Sequence, residues 1–480
     1  MLGTTFVSFV LYTSFLFGLS QALHIQVRGR SSLSSNRVFR RESTSREIGG
    51  LTLDNTADVS YYAEILLGNQ TFQVLIDTGS SDLWVAGEVS PSTDTGFNAS
   101  IQYAANAVGG PVKEARLNLG GHIVEDQAFL QIPPDEANEE GTGILGLGPG
   151  SGSFIATQFG KIGGVTVLER IFQQNISAPP FMTILLGRTK DPTDFFTGSI
   201  TVAEVLEEYH DILNVAKLNV TKVPDTLLDE QHHQILLDPD GIVGPDGKTI
   251  PFVTDVEGTE NKKQATVVLD SGFTLPQVPR TVSDAMYSRF YGSEFVQIKG
   301  LGGVWIVPCE QEVNVTFSFA GKEYPIHPLD MTMHPSNVNL SDISTANGEM
   351  GCLGTFQPFT YDKGRTPSYD MVFGMAFMRN VYSLFNYGGY SGNTDEEGIG
   401  PYVQLLSITD RAEAHSDFVT ARLGGIDTTG SRGLKKANNS GSGRTPMYLY
   451  IVAVVVVIAV LIAGAVLFVL RRRRRRRRLG

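Results

Sequence analysis

The chain has 480 residues, of which 41% are hydrophobic and 18% charged, a globular balance that excludes disorder throughout. Beyond roughly 250–300 residues one hydrophobic core usually gives way to two, so two lobes or domains are expected. The formal net charge of −12 conceals an asymmetry: residues 1–41 hold five Arg and no acid, 471–478 are eight Arg, and 42–470 keep 25 basic against 50 acidic residues, which excludes nucleic acid as a partner of that surface.

Residues 1–22 read as a secretory signal peptide, because the uncharged apolar run Phe6 to Leu19 is followed by Ser20-Gln21-Ala22. Cleavage is expected after Ala22, in the secretory pathway. Residues 23–41 read as a short basic propeptide, rich in Ser and ending in the dibasic pair Arg40-Arg41. From Leu51 onward short apolar or alternating runs, such as Tyr61 to Leu67 and Phe72 to Ile76, are parted by Gly, Asn and Asp turns. That pattern predicts strands in a mostly β structure.

An internal repeat organises the β region. Leu75-Ile76-Asp77-Thr78-Gly79-Ser80-Ser81-Asp82-Leu83-Trp84 recurs in outline as Val268-Leu269-Asp270-Ser271-Gly272-Phe273-Thr274-Leu275-Pro276. Each copy is followed by a second apolar strand ending in glycine, Gly143-Ile144-Leu145-Gly146 after the first and Met371-Val372-Phe373-Gly374 after the second. Two lobes of one design are expected, an N-terminal one over 51–205 and a C-terminal one over 206–409. The two cysteines, Cys309 and Cys352, are expected to pair in a secreted chain, with two free thiols as the alternative. Sequons at Asn69, Asn98, Asn175, Asn219, Asn314, Asn339 and Asn438 mark a glycosylated exterior.

Residues 410–446 read as a flexible Gly/Ser/Thr stalk. Residues 447–470 carry no charge, and at ~1.5 Å per residue a helix of that length exceeds the ~30 Å hydrocarbon core, so one transmembrane helix is expected. The Arg-rich tail 471–480 would stay cytosolic, giving a single-pass topology with the ectodomain extracellular or lumenal, most simply at the cell surface.

The repeated motif carries a chemistry. An apolar strand that delivers Asp-Thr/Ser-Gly leaves the carboxylate at the strand end, and the Gly lets the backbone turn sharply. Two such loops, one per lobe, would set Asp77 and Asp270 side by side in a cleft. Like charges that close share one proton, so one carboxyl takes a proton from water while the other donates to a scissile carbonyl oxygen. No metal, cofactor or covalent intermediate is required. Thr78 and Ser271 are expected to bond across the lobe interface, and the Gly79 and Gly272 amides to donate to the carboxylates.

These motifs make the sequence similar to the pepsin-like aspartic proteases over roughly Tyr61 to Ser407. The matches are Asp77-Thr78-Gly79-Ser80-Ser81 with Leu83-Trp84, Ser100-Ile101-Gln102-Tyr103 at the start of the family's flap, Gly143 to Gly146, Asp270-Ser271-Gly272 and Val372-Phe373-Gly374. The resemblance implies a mostly β, bilobal fold with the cleft between two pseudo-twofold-related lobes, and an aspartic endopeptidase with a monomeric ectodomain acting on protein or peptide substrates at acidic pH. It also implies that Tyr103 closes over substrate and bonds Trp84, and that Cys309 and Cys352 form the C-lobe disulfide. Joined to an anchor, the domain resembles fungal cell-surface members.

Two departures stand out. After Tyr103 the chain has Ala104-Ala105-Asn106 where the family has Gly-Thr-Gly or similar, so the hairpin is expected to turn at Asn106 or at Gly109-Gly110. Phe273 stands where the family has Ser or Thr, whose hydroxyl bonds the outer carboxylate oxygen as Ser80 is expected to do for Asp77; Thr274 could swing in instead. A hydrogen bond to a charged group is worth ~1.5–3 kcal/mol, so losing it predicts raised pKa values for the pair and a less acidic optimum. The departures motivate an alternative, a catalytically impaired peptide-binding module at the cell surface.

Other strings carry less. Gly141-Thr142-Gly143-Ile144-Leu145-Gly146 matches G-x-G-x-x-G but follows an acidic loop with no βαβ context, so it reads as the strand beneath Asp77. His122, His210, His232 and His233 lack zinc-site spacing and read as solvated loop histidines. No nucleophile elbow frames a serine.

Overall fold

A computed structural model describes residues 23–30, 60–103, 107–159, 166–174, 178–187, 196–298, 301–338, 340–388 and 400–435. The expected signal peptide, the dibasic site, the apolar run 447–470, the Arg-rich tail and the sequons at Asn175, Asn339 and Asn438 lie outside the described residues. Among the described residues no helix is long and apolar enough to cross a membrane.

The first ten strands are β1 (Leu23–Arg30), β2 (Ser60–Leu67), β3 (Gln70–Asp77), β4 (Leu83–Ala86), β5 (Thr93–Gln102), β6 (Ala107–Leu119), β7 (His122–Ile132), β8 (Thr142–Gly146), β9 (Phe181–Leu186) and β10 (Phe196–Val202). Sequence alternation sets their faces. In β2 the side chains of Tyr61, Ala63, Ile65 and Leu67 are buried, and in β3 those of Phe72, Val74 and Ile76, the period of two that a pleated strand imposes. β2 and β3 pair antiparallel across Gly68, whose φ of +61° suits a residue without a side chain.

The repeat read in the sequence is a repeat of strand pairing. β3 runs parallel to β8 with Asp77 opposite Gly146, and β8 runs antiparallel to β4. In the second lobe Thr266–Leu269 runs parallel to Met371–Phe373 with Leu269 opposite Phe373, and Met371–Phe373 pairs antiparallel with Gln277–Val278. The glycine-rich string 141–146 is therefore the strand beside Asp77, as expected. Each carboxylate sits at the C-terminal end of an interior strand with neighbours on both sides, which leaves little freedom to its backbone.

One large sheet ties the lobes together. Its order is β5, β6, β7, β4, β8, β3, β2, β1, β10, β9, then Val381–Asn386, Tyr402–Ser407 and Leu218–Asn219. Strands from both halves of the chain are thus hydrogen-bonded into one unit. β1, within the expected propeptide, is inserted between β2 and β10, with Gly29 opposite both Tyr61 and Phe196. Deeper in the second lobe, Arg379 and Asp330 form a buried ion pair at 2.8 Å, and the Asn380 amide donates to the same carboxylate at 2.9 Å, so this buried charge is paired and bonded.

The stretch from Asp410 departs from the flexible stalk expected there. Arg411–Leu423 is a helix whose N-cap Asp410 accepts from the amides of Ala412 and Glu413, and whose C-cap Gly424 has a φ of +64°. Phe418 is fully buried and Ala414 and Val419 nearly so. Arg422 donates to the Thr332 carbonyl at 3.0 Å, and Arg432 to Glu310 and Glu349. Ala, Glu, Arg and Leu favour helix, and the buried aromatic anchors it; the Gly and Ser that suggested a stalk lie mostly further on. Cys309 and Cys352 are joined by a disulfide, in line with the simplest expectation. The sequon residues Asn69, Asn98, Asn219 and Asn314 are exposed.

Replacing Phe418 with alanine should remove the anchor of the C-terminal helix and destabilise the folded chain by about 3–5 kcal/mol. A melting temperature unchanged in the Phe418→Ala full-length protein would mean that the helix is not part of the cooperative unit.

Candidate active site

The two repeated loops meet. The Thr78 hydroxyl donates to the Leu269 carbonyl at 2.9 Å and accepts from the Ser271 amide at 2.9 Å. Reciprocally, the Ser271 hydroxyl donates to the Ile76 carbonyl at 2.8 Å and accepts from the Thr78 amide at 3.1 Å. All four bonds are buried and cross between residues more than 190 positions apart. Thr78 and Ser271 are therefore the cross-lobe pair expected from the sequence.

Asp77 and Asp270 are held side by side by this grip. Asp77 accepts from the Gly79 amide at 2.8 Å and from the Ser80 hydroxyl, while Asp270 accepts from the Gly272 amide at 2.8 Å. Each loop glycine lies against the opposite carboxylate: a Cβ built on Gly79 would meet the Asp270 carboxylate, and one on Gly272 the Asp77 carboxylate. Burial pushes the Asp270 carboxyl well above the usual carboxylate range, and the charge of Asp77 and the hydrogen bond that protonated Asp270 donates to it push the same way. One proton shared by the pair is the state that geometry favours.

The departure at Phe273 persists in three dimensions. No side chain at 273 repeats the Ser80 contact: the half-buried Phe273 ring leans on Tyr361, 6.2 Å between centroids, and the amides of Gly272 and Phe273 act on the Asp270 carboxyl. Thr274 is buried one residue further on.

Tyr103 follows β5 directly, and its hydroxyl accepts from the Trp84 indole at 2.8 Å. Burial first, then the charges of Asp77 and Asp82, hold the phenol well above its ordinary range, so it stays neutral. The hairpin does not turn at Gly109-Gly110. Those residues lie inside β6 opposite Ser100 and Ala99, and the last pair is Gln102 with Ala107; residues 104–106, with the expected turn at Asn106, are outside the described residues. A side chain at Gly110 would run into the Gln131 carbonyl of β7, so that glycine serves close packing.

Two groups were not legible as site residues. Asp82 caps the helix Phe154–Phe159, accepting from Ser153, from the Phe154 amide at 2.8 Å and from the Ile155 amide at 3.3 Å; burial nonetheless raises its carboxyl to about 6. His232 and His233, read as solvated loop residues, are not. His233 is fully buried between the rings of Phe385 and Tyr387, and burial followed by the neighbouring His232 pushes it down to about 3. His232 is half-buried beside the Gly79 backbone and within electrostatic reach of Asp77. The overlooked signal was the apolar run beside them: His233 to Ile235 and Leu237 are all buried around the strand Gln234–Leu236. His122 and His210 are at least partly exposed. Among the described residues the one group with metal-ligand atoms close together is Cys309, His334 and Cys352, whose two sulfurs are spent in the disulfide.

Comparison with known proteins places this geometry. The family model described as eukaryotic aspartyl protease matches residues 60–392. The chain is 25% identical over 397 residues to the major aspartyl peptidase 1 of Cryptococcus neoformans, covering 76% of each. It is 26% identical over 353 residues to vacuolar protease A of Aspergillus fumigatus, covering 70% of this chain and 78% of that one, and 25% identical over 378 residues to rat cathepsin E, covering 73% and 82%. The fold is similar to that of an aspartic proteinase from Irpex lacteus, with a TM-score of 0.55 at 16% identity over 82% of this chain and 99% of that one.

Asp82 at about 6 and Glu169, which burial raises to about 7, bind protons more readily folded than unfolded. These two groups therefore contribute stability that falls as pH rises between about pH 4 and 7, while the buried His233 contributes in the opposite sense below about 6.5. Between pH 4 and 8 the melting temperature of the native full chain should fall relative to that of Glu169→Gln; parallel slopes would remove Glu169 from the account.

Proposed function

Because the chain belongs to the eukaryotic aspartyl protease family, we propose that it is an aspartic-type endopeptidase that cleaves protein or peptide substrates at acidic pH with a water activated between Asp77 and Asp270. The observation that carries this reading is the paired carboxylates with Asp270 raised towards its protonated form. Asp77, served by the Gly79 amide and the Ser80 hydroxyl, is the base. It takes a proton from the water as the oxygen attacks the scissile carbonyl carbon, and Asp270 gives its proton to the carbonyl oxygen, leaving a neutral gem-diol. The proton on Asp77 then passes to the amide nitrogen, the C–N bond breaks, and one gem-diol hydroxyl returns its proton to Asp270 as the carboxylic acid forms. Both carboxyls end as they began. Tyr103, bonded to Trp84, closes over the substrate from the β5–β6 hairpin.

The N-terminal apolar run, the acidic bulk of the chain and the Met447 to Leu470 segment support a secretory-pathway enzyme held by one membrane span. The vacuolar name of one relative agrees with an acidic compartment.

Detergent-solubilised full chain incubated with denatured protein from pH 3 to 7 should yield pepstatin-sensitive cleavage, and Asp77→Asn should lower kcat by about a thousandfold. Equal cleavage by Asp77→Asn would overturn the reading in favour of a peptide-binding module. A second measurement concerns Phe273. A hydroxyl there would stabilise ionised Asp270 and lower its pKa, and activity is lost when Asp270 loses its proton, so Phe273→Thr should move the alkaline limb of the kcat/KM profile to lower pH. An unmoved limb would show that residue 273 does not bear on the proton.

A further inference from the structure

A continuous strip of rings leads away from the catalytic loop on the second lobe. Phe273 lies 6.2 Å from Tyr361, Tyr361 5.4 Å from Phe359, Phe359 6.5 Å from Tyr369, and Tyr369 5.9 Å from His232, with the Tyr361 and Tyr369 hydroxyls 3.0 Å apart. All five residues are half-buried. His232 ends the strip at Gly79. Its interaction with the Gly79 backbone favours the charged ring, so the imidazole N–H is the donor and the carbonyl the acceptor.

The groups facing His232 are Asp77 from the end of β3, Tyr369 from the loop before Met371–Phe373, and its chain neighbour His233. Asp270 and Glu230 act on Tyr369, and Asp270 on Tyr361. Lys363 stands over Phe359 at the far end, 4.4 Å from the ring centroid, with its ammonium 3.4 Å from the carbonyls of Tyr369 and Asp370. At the catalytic end, His232 is the group that can turn cationic.

We propose that His232 is a specificity-determining residue of the cleft, which when protonated selects peptide substrates carrying a carboxylate side chain close to the scissile bond. This rests on the endopeptidase reading for the identity of the scissile bond. Burial makes the lone charged ring unfavourable, while the Gly79 contact and Asp77 favour it, so an incoming carboxylate supplies the compensation that lets the ring take its proton. The preference is confined to the interval between about pH 4.5, where a glutamate side chain is ionised, and the pH at which the imidazole is neutral, below its ordinary ~6.5.

The test uses the full chain in detergent and peptides differing only in Glu or Gln at each of three positions on either side of one cleavable bond. Matching peptides with a statine in place of that bond are assayed by calorimetry. At one position Glu should be favoured about fivefold over Gln at pH 5, in kcat/KM and in Kd, and the ratio should fall to about one at pH 7.5 and in both His232→Gln and His232→Phe. A ratio near one at every position in the native chain, or a preference that survives both substitutions, overturns the proposal. Preferential binding without cleavage would sustain the role of His232 and overturn the endopeptidase reading; cleavage without preference does the reverse.

Discussion

Everything at the centre of this molecule depends on four buried hydrogen bonds between Thr78 and Ser271 and the backbone of the opposite loop. Each hydroxyl serves as donor and acceptor at once, and each loop satisfies backbone groups that its own strand cannot reach. A buried polar group without a partner costs free energy, so neither loop is self-sufficient: the N-terminal one is complete only when the C-terminal one is present. The shared sheet then holds the lobes in the relation that this contact requires.

Around that grip the polar chemistry is graded by burial. Asp270, Asp82 and Glu169 are carboxyls that burial pushes towards protonation, and Tyr103, Tyr361 and Tyr369 are phenols pushed the same way. His233, moved in the opposite sense, is also neutral. The interior is therefore populated by groups in their uncharged forms, and the negative charge of the chain belongs to its surface. Asp77, which shares the proton of Asp270, is an exception, and so is Arg379 with Asp330, where the charges are paired.

What could be read from the sequence was what the repeat wrote twice. Asp77, Asp270 and their Thr, Ser and Gly neighbours were legible because two copies with matched flanks define one local geometry. The Trp84–Tyr103 contact followed from the family likeness. Features without a second copy were harder. Arg411–Leu423 was hidden by averaging its helix-forming residues with the Gly and Ser beyond it, and Gly109-Gly110 suggested a turn although Gly110 answers to a carbonyl of β7. His232 and His233 were obscured because two polar residues in a row look solvated, whereas His233 turns into the core against Phe385 and Tyr387 just before the strand Gln234–Leu236.

The placement of Gly79 and Gly272 against each other's carboxylates has a mechanical corollary. With glycine facing each carboxylate, no side chain parts the two carboxyls, and the gap between them follows the spacing of the loops that the Thr78 and Ser271 bonds hold. Coulomb energy varies inversely with separation, so opening of the lobes would weaken the coupling of the two titrations, and closure would strengthen it. Acidity in such a site is a property of lobe spacing as much as of residue type, and whatever is bound between the lobes would adjust the proton affinity of the pair.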